Sequence, residues 1–171
     1  MSMIGSFLMV TESTLQDYIQ DPEKLVELLY GEGEEDPQTP DPHYDVDKTW
    51  QMIHFLLTGD SYEGKPPERN VIFGVNVLSD EVDVGYGPAS FLTAAEVKEV
   101  HHFLKGLSAE ELWSRFDREA IRKVNVYPDH WTGDDEDREY VTDYYLDLVD
   151  FLCSRRGKQF VCDSIYKLNL I

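Results

Sequence analysis

Tyr44-Asp-Val-Asp-Lys-Thr-Trp-Gln-Met-Ile-His-Phe-Leu-Leu-Thr-Gly59 is the stretch on which the fold turns. From Val46 to Leu57 it reads as a helix, apolar on more than one side through Trp50, Met52, Ile53, Phe55, Leu56 and Leu57. A helix of that kind is buried deeply rather than laid on a surface. Thr58-Gly59-Asp60 stops it.

Upstream, Ile4 to Val10 reads as an opening strand. Ser13-Thr-Leu-Gln16 fits a capping box, and Leu15, Tyr18 and Ile19 repeat at helical spacing. Asp21-Pro22 restarts the helix, Leu25, Val26, Leu28 and Leu29 continue it, and Gly31 ends it. Glu32 to Asp47 then holds seven acids and no Lys or Arg. Its Pro37, Pro40 and Pro42 exclude regular helix, so it reads as an exposed loop.

Downstream, Ser61 to Arg69 is a polar loop with Pro66-Pro67, and Val71 to Leu78 suits a strand or a short helix. Asp83 to Pro88 is a tight, glycine-punctuated connection. Thr93-Ala-Ala-Glu96 and Ser108-Ala-Glu-Glu111 are capping boxes. The first opens a helix with Val97, Val100, His101 and Leu104 on one face, closed by Gly106, and the second a helix through Leu112 and Phe116. Val124 to Tyr127 reads as a short strand closed by Pro128. Asp129 to Glu139 is a second acidic stretch, with six acids against Arg138. A long helix follows, carrying Val141, Tyr144, Tyr145, Leu148, Val149 and Leu152, with Arg155 and Arg156 at its end and Gly157 as its C-cap. Phe160 to Ile165 suits a closing strand.

These elements predict four to five helices and a small mixed sheet. They do not alternate as a doubly wound fold requires, so the class is α+β, in a single domain over residues 1–171. No repeat is visible.

With 15 basic and 34 acidic residues, the formal net charge is -19. That excludes a generic nucleic-acid binder, which needs a concentrated positive surface. The start, Met1 to Val10, lacks the positive charge of a signal peptide, and no run approaches the length of a membrane span. Cys153 and Cys162 make neither a disulfide framework nor, alone, a zinc site, and two free thiols suit a reducing cytoplasm. Oligomeric state is open.

Few residues carry readable chemistry. His54 shares a helical side with Trp50, Ile53 and Leu57, which makes it a neutral core histidine or, alternatively, a general base. Asp45 and Asp47 precede that helix and are candidate caps or acid partners. Tyr86 sits between Gly85 and Gly87, where its ring could serve a pocket. His101 and His102 point about 100° apart on a helix and cannot chelate one ion as i,i+4 residues do. The acidic loops lack the offsets of an EF-hand, no Gly-x-Ser-x-Gly elbow exists, and no metal or cofactor is implied.

The acid excess remains the strongest functional signal. An exposed negative field speeds capture of a basic partner and rejects acidic ones, although it also keeps a protein soluble. The expected contact residues are Glu34, Glu35 and Asp36 in the first acidic loop, and Asp134, Asp135 and Asp137 in the second. The competing reading is a small-ligand-binding or hydrolytic domain with a pocket around His54, Asp45, Asp47 and Tyr86.

Several stretches together resemble the YfbM-like family, the domain of unknown function 1877. They are Met3-Ile-Gly5, the block from Tyr44 to Gly59, Tyr86-Gly-Pro-Ala89 with Leu92-Thr93 and Glu96-Val97, Leu112-Trp-Ser-Arg-Phe-Asp117, and Val126-Tyr-Pro128. The family-like polar positions are Asp45, Asp47, Lys48, Trp50, His54, Thr58 and Asp117. The resemblance implies one α+β domain and no established enzyme activity. It also implies kinship with proposed immunity proteins, which neutralise toxins, and an acidic immunity protein suits a basic toxin domain. The acidic insert Glu32 to Pro42 looks peculiar to this chain.

Overall fold

The computed structural model describes residues 3–31, 43–85, 87–152 and 165–170, the last of these as backbone. Strand β1 (Ser6–Thr11) runs straight into helix α1 (Glu12–Gln20), and α2 (Glu23–Tyr30) follows after the break at Asp21-Pro22. Strand β2 (His43–Asp45) leads through a 3-10 turn over Asp47–Thr49 into α3 (Trp50–Thr58). A second 3-10 turn (Arg69–Val71) precedes β3 (Asn76–Val77) and β4 (Ser90–Leu92). Helices α4 (Ala94–Leu104), α5 (Ala109–Trp113), α6 (Arg118–Lys123) and α7 (Asp135–Leu152) come next, and β5 (Ile165–Leu170) completes the order.

The α+β class holds, with two corrections. Seven α-helices stand among the described residues, not four to five. The sheet is not mixed: its order is β2-β1-β5-β4-β3, and all four pairings are antiparallel. The helix count rises because the break at Asp21-Pro22 divides α1 from α2, and because α6 is too short to show a period. Only Ile121 of its six residues is buried. The segment Val124 to Tyr127, expected as a strand, is instead the turn that leaves α6, with Asn125 at φ 54°. Asparagine enters that left-handed region more readily than most residues do.

Alternation along β1 explains the layering. Phe7 joins a large cluster around α3, while Leu8 joins a smaller one with Leu15 of α1 and Leu25 of α2. Phe91 and Leu92 of β4 divide in the same way. The sheet is therefore covered on both faces. The larger cluster holds Trp50, Met52, Ile53, Phe55, Leu56 and Leu57, together with Tyr145 and Leu148 of α7. As the apolar pattern predicts, α3 is buried on all sides from Trp50 to Leu57, and Gly59 ends it in the left-handed conformation.

Caps fix the register of the helices. Both predicted boxes form, Thr93 with Glu96 and Ser108 with Glu111. The expected box at Ser13 does not. Thr11, the last residue of β1, accepts the Thr14 N–H at 3.2 Å and starts α1 two residues earlier. Asp117 caps α6 by accepting the N–H groups of Glu119 (2.9 Å) and Ala120 (3.1 Å). Among the described residues, no helix is long and apolar enough to cross a membrane.

Candidate functional site

His54 lies one turn beyond Trp50 on α3 and is fully enclosed. Its Nε2 is 3.1 Å from the Glu63 carbonyl, which requires Nε2 to carry the proton and donate. Its ring packs edge-on to Phe73, with centroids 4.7 Å apart. Among the described residues, the Nδ1 atom has no hydrogen-bond partner. Burial pushes the His54 pKa down to about 4, and the nearby Arg69 adds to that, against the opposing Glu63 bond and Asp60. The imidazole is neutral at pH 7 and exposes no surface to solvent.

Asp45 and Asp47 serve other groups. The Asp47 N–H donates to Asp45 Oδ1 at 3.0 Å, and Asp47 Oδ2 accepts the Tyr140 hydroxyl of α7 at 2.6 Å. Neither caps α3: no side-chain bond caps either the 3-10 turn or the helix after it. Asp47 sits at φ 46°, a conformation its hydrogen bonds hold. No hydrogen bond joins His54 to either aspartate among the described residues, so the three do not form one hydrogen-bonded group. Tyr86, Glu34, Glu35, Asp36, Cys153 and Cys162 lie outside the described residues. The predicted helix end at Arg155 to Gly157 and most of the predicted closing strand lie outside them too.

The second acidic stretch is divided in its duties. Asp137 Oδ2 accepts the N–H groups of Thr132 (2.6 Å) and Gly133 (2.9 Å), and Asp134 Oδ1 accepts the Asp137 N–H at 3.0 Å. The Thr132 hydroxyl holds the Asp134 carboxyl below the usual carboxylate range. Together these bonds build the N-terminus of α7. Gly133, at φ 80°, leaves no room for a Cβ, which would fall 2.4 Å from Cε1 of Phe116. Asp134 and Asp137 are thus structural, and Asp135 is exposed beside them.

The helix so capped carries a feature that the sequence reading missed. Glu136, Glu139, Asp143, Asp147 and Asp150 recur at helical spacing along α7, and all five are exposed. They lie opposite Val141, Tyr145, Leu148 and Leu152, the buried positions of α7. None of the five forms an ion pair among the described residues. Over 18 residues the stripe can extend about 27 Å. The acids were visible in the sequence, but those before Tyr140 were counted as loop.

Half-buried tyrosines border the stripe. Tyr140 and Tyr144 pack edge to face at 5.3 Å, and Tyr44 of β2 packs on Phe151 at 5.6 Å. The Tyr44 hydroxyl donates to the Tyr144 carbonyl at 3.2 Å. Burial raises the Tyr144 pKa above its ordinary value, and the charges of Asp47, Asp45 and Asp147 raise it further. Tyr44 shifts in the same direction through burial, then Asp147, Tyr144 and Asp45. Carboxylates from β2, from the turn after it and from α7 thus all act on these rings, and Asp47 bonds one of them directly.

Elsewhere, Pro66, Pro67, Lys98, Glu99, His102 and Phe103 line an open groove beside α4. No group of three His, Cys, Asp or Glu among the described residues is placed to hold a metal ion.

The profile of the family described as "Domain of unknown function (DUF1877)" matches residues 1–161. This chain belongs to the DUF1877 family. Among curated proteins, DUF1877 kinship extends to Protein YfbM of Escherichia coli (strain K12), 26% identical over 161 residues, covering 91% of each chain. Among solved structures, the chain is similar to the crystal structure of a protein of unknown function, YfbM from Escherichia coli. That match has a TM-score of 0.68 at 19% identity and covers 98% of each chain. At that identity the likeness concerns the fold.

Proposed function

We propose that this DUF1877 member is a protein-binding domain that engages a basic partner through the outer face of α7. The observation that carries the reading is the row of five exposed carboxylates on one helix, outside any ion pair among the described residues, in a chain whose net charge is -19. Such a face attracts a basic surface over long range and resists acidic ones. In its finer form, the domain neutralises its partner by covering that basic surface, as an immunity-type protein does. The enclosed position of His54 supplies no support for the alternative of a hydrolytic or small-ligand pocket at that residue.

The test is affinity capture from native lysate with the parent chain and with a variant carrying Glu139→Gln, Asp143→Asn, Asp147→Asn and Asp150→Asn. The expected result is a stoichiometric basic protein held by the parent at low salt. It should be released at about 0.5 M salt, where screening is nearly complete beyond a few Å, and it should be lost from the variant. A partner held equally by both chains, or none that responds to salt, contradicts the reading.

A further inference from the structure

We infer that the tyrosine ledge beside Asp147 is an arginine-selective anchor for the basic partner, with the guanidinium stacked on Tyr144 and Tyr44 and its edge turned to the Asp147 carboxylate. The inference rests on the binding role proposed for α7 and specifies what its partner must present.

Three features on the page converge on that chemistry. First, Tyr140, Tyr144 and Tyr44 are half-buried, so each ring is held by the fold yet keeps surface in contact with solvent. Tyrosine in that state gives a rigid contact at little cost in side-chain entropy. Second, Tyr144 is preorganised: Tyr140 packs against its ring and the Tyr44 hydroxyl binds its carbonyl. Third, carboxylates lie beside the rings: Asp47 accepts the Tyr140 hydroxyl at 2.6 Å, and Asp147 is one turn from Tyr144 along α7. Asp45 ends β2, Asp47 lies in the turn that follows, and Asp147 lies one turn beyond Asp143 on α7.

Their availability differs. Asp47 is committed to Tyr140, and Asp45 accepts the Asp47 N–H. Asp147 is exposed and outside any ion pair among the described residues. The hydroxyls of Tyr140 and Tyr44 do not compete for it: Tyr140 donates to Asp47 and Tyr44 to a backbone carbonyl.

Arginine suits this arrangement better than lysine. Its planar, weakly hydrated guanidinium stacks on an aromatic face while its edge donates to a carboxylate. An ammonium satisfies the charge but gains less from the ring. A bare acidic stripe can also favour arginine through bidentate carboxylate contacts, so the part of the selectivity that is lost with the Tyr144 ring is what reports on the ledge.

The experiment measures binding of an oligo-arginine peptide and an oligo-lysine peptide of equal length to the full chain, by fluorescence anisotropy at fixed salt. The parent should prefer the arginine peptide by about two- to five-fold, the range that an exposed cation–π contact supplies. Tyr144→Leu should abolish the preference by costing the arginine peptide more affinity than the lysine peptide, and Tyr144→Phe, which keeps the ring, should retain it. Circular dichroism shows whether Tyr144→Leu is folded. Equal affinities in the parent, or a preference that survives Tyr144→Leu, overturn the ledge but leave the α7 reading standing. Failure of the parent to bind either peptide overturns both.

Discussion

Lowering the pH from 7 to 5 should destabilise the chain through His54, and His54→Gln should remove most of that loss. Burial lowers the His54 pKa from its ordinary 6.5 to about 4. The unfolded chain therefore takes up a proton below pH 6.5 that the folded chain refuses until about pH 4. Stability is full above pH 6.5 and falls through that window as the unfolded state gains the extra proton. From these two values, the loss relative to pH 7 is about 0.7 kcal/mol at pH 6 and about 2 kcal/mol at pH 5. With an m-value of about 2 kcal/mol/M, the urea midpoint should drop by about 1 M between pH 7 and pH 5. The carboxylates held low by hydrogen bonds, Asp60, Asp83, Glu111 and Asp134, act in a lower window. Their stabilisation is present above the unfolded carboxylate pKa, about 4, and is lost below it. Glutamine can still donate to the Glu63 carbonyl but cannot titrate. Urea unfolding of parent and His54→Gln at pH 7, 6 and 5 should give diverging midpoints. Parallel midpoints would refute the assignment of this acid sensitivity to His54.

Substitutions at four further positions test the packing that builds the α7 face. Gly133→Ala should cost about 2–4 kcal/mol in urea unfolding, because it combines a left-handed backbone with a Cβ driven into Phe116. Asp47→Ala should cost about 2–3 kcal/mol by the same assay, losing the charge-assisted Tyr140 bond and leaving alanine at φ 46°, whereas Asp47→Asn should retain most of the stability. Asp137→Ala should lower stability by about 1 kcal/mol through loss of the cap, while Asp135→Ala, one turn position away and exposed, should leave thermal unfolding within about 0.5 kcal/mol of the parent.

What the sequence made legible was local. The burial of α3 followed from an apolar set too wide for a surface helix, and the boxes at Thr93 and Ser108 followed from side-chain chemistry within one turn. What it hid depended on distant pairing. The middle of the sheet belongs to β5, which lies between β1 and β4, yet alternation within a short strand does not reveal its neighbours. The α1 cap was misplaced because Thr11 does two jobs, ending β1 and starting α1 with no loop between them.

The candidate surface was half legible for the same reason. The acids of 129–139 looked like loop because acidic density and Gly133 suggest a turn. The helix begins at Asp135, where first-turn carboxylates favour the positive end of the dipole. Once α7 is extended back to that point, Glu136 and Glu139 join Asp143, Asp147 and Asp150 on one side. The meeting of Tyr44 and Asp47 with Tyr140 and Tyr144 spans about a hundred residues of chain and has no signature in spacing.

The most direct test of the central claim separates the α7 face from net charge. Affinity for an oligo-arginine peptide is measured across a salt series for the parent and two variants with the same charge change. One carries Glu139→Gln, Asp143→Asn, Asp147→Asn and Asp150→Asn; the other carries Asp17→Asn, Glu27→Gln, Glu81→Gln and Glu99→Gln, all exposed and on elements other than α7. The account predicts that the first variant loses about ten-fold or more in affinity, along with most of its salt dependence, since four exposed contacts of roughly 0.3–0.5 kcal/mol each are removed together. The second should stay within about two-fold of the parent, because its charges are screened from the bound peptide. Equal losses in the two variants would show that the peptide responds to overall charge and would contradict the assignment of binding to this face.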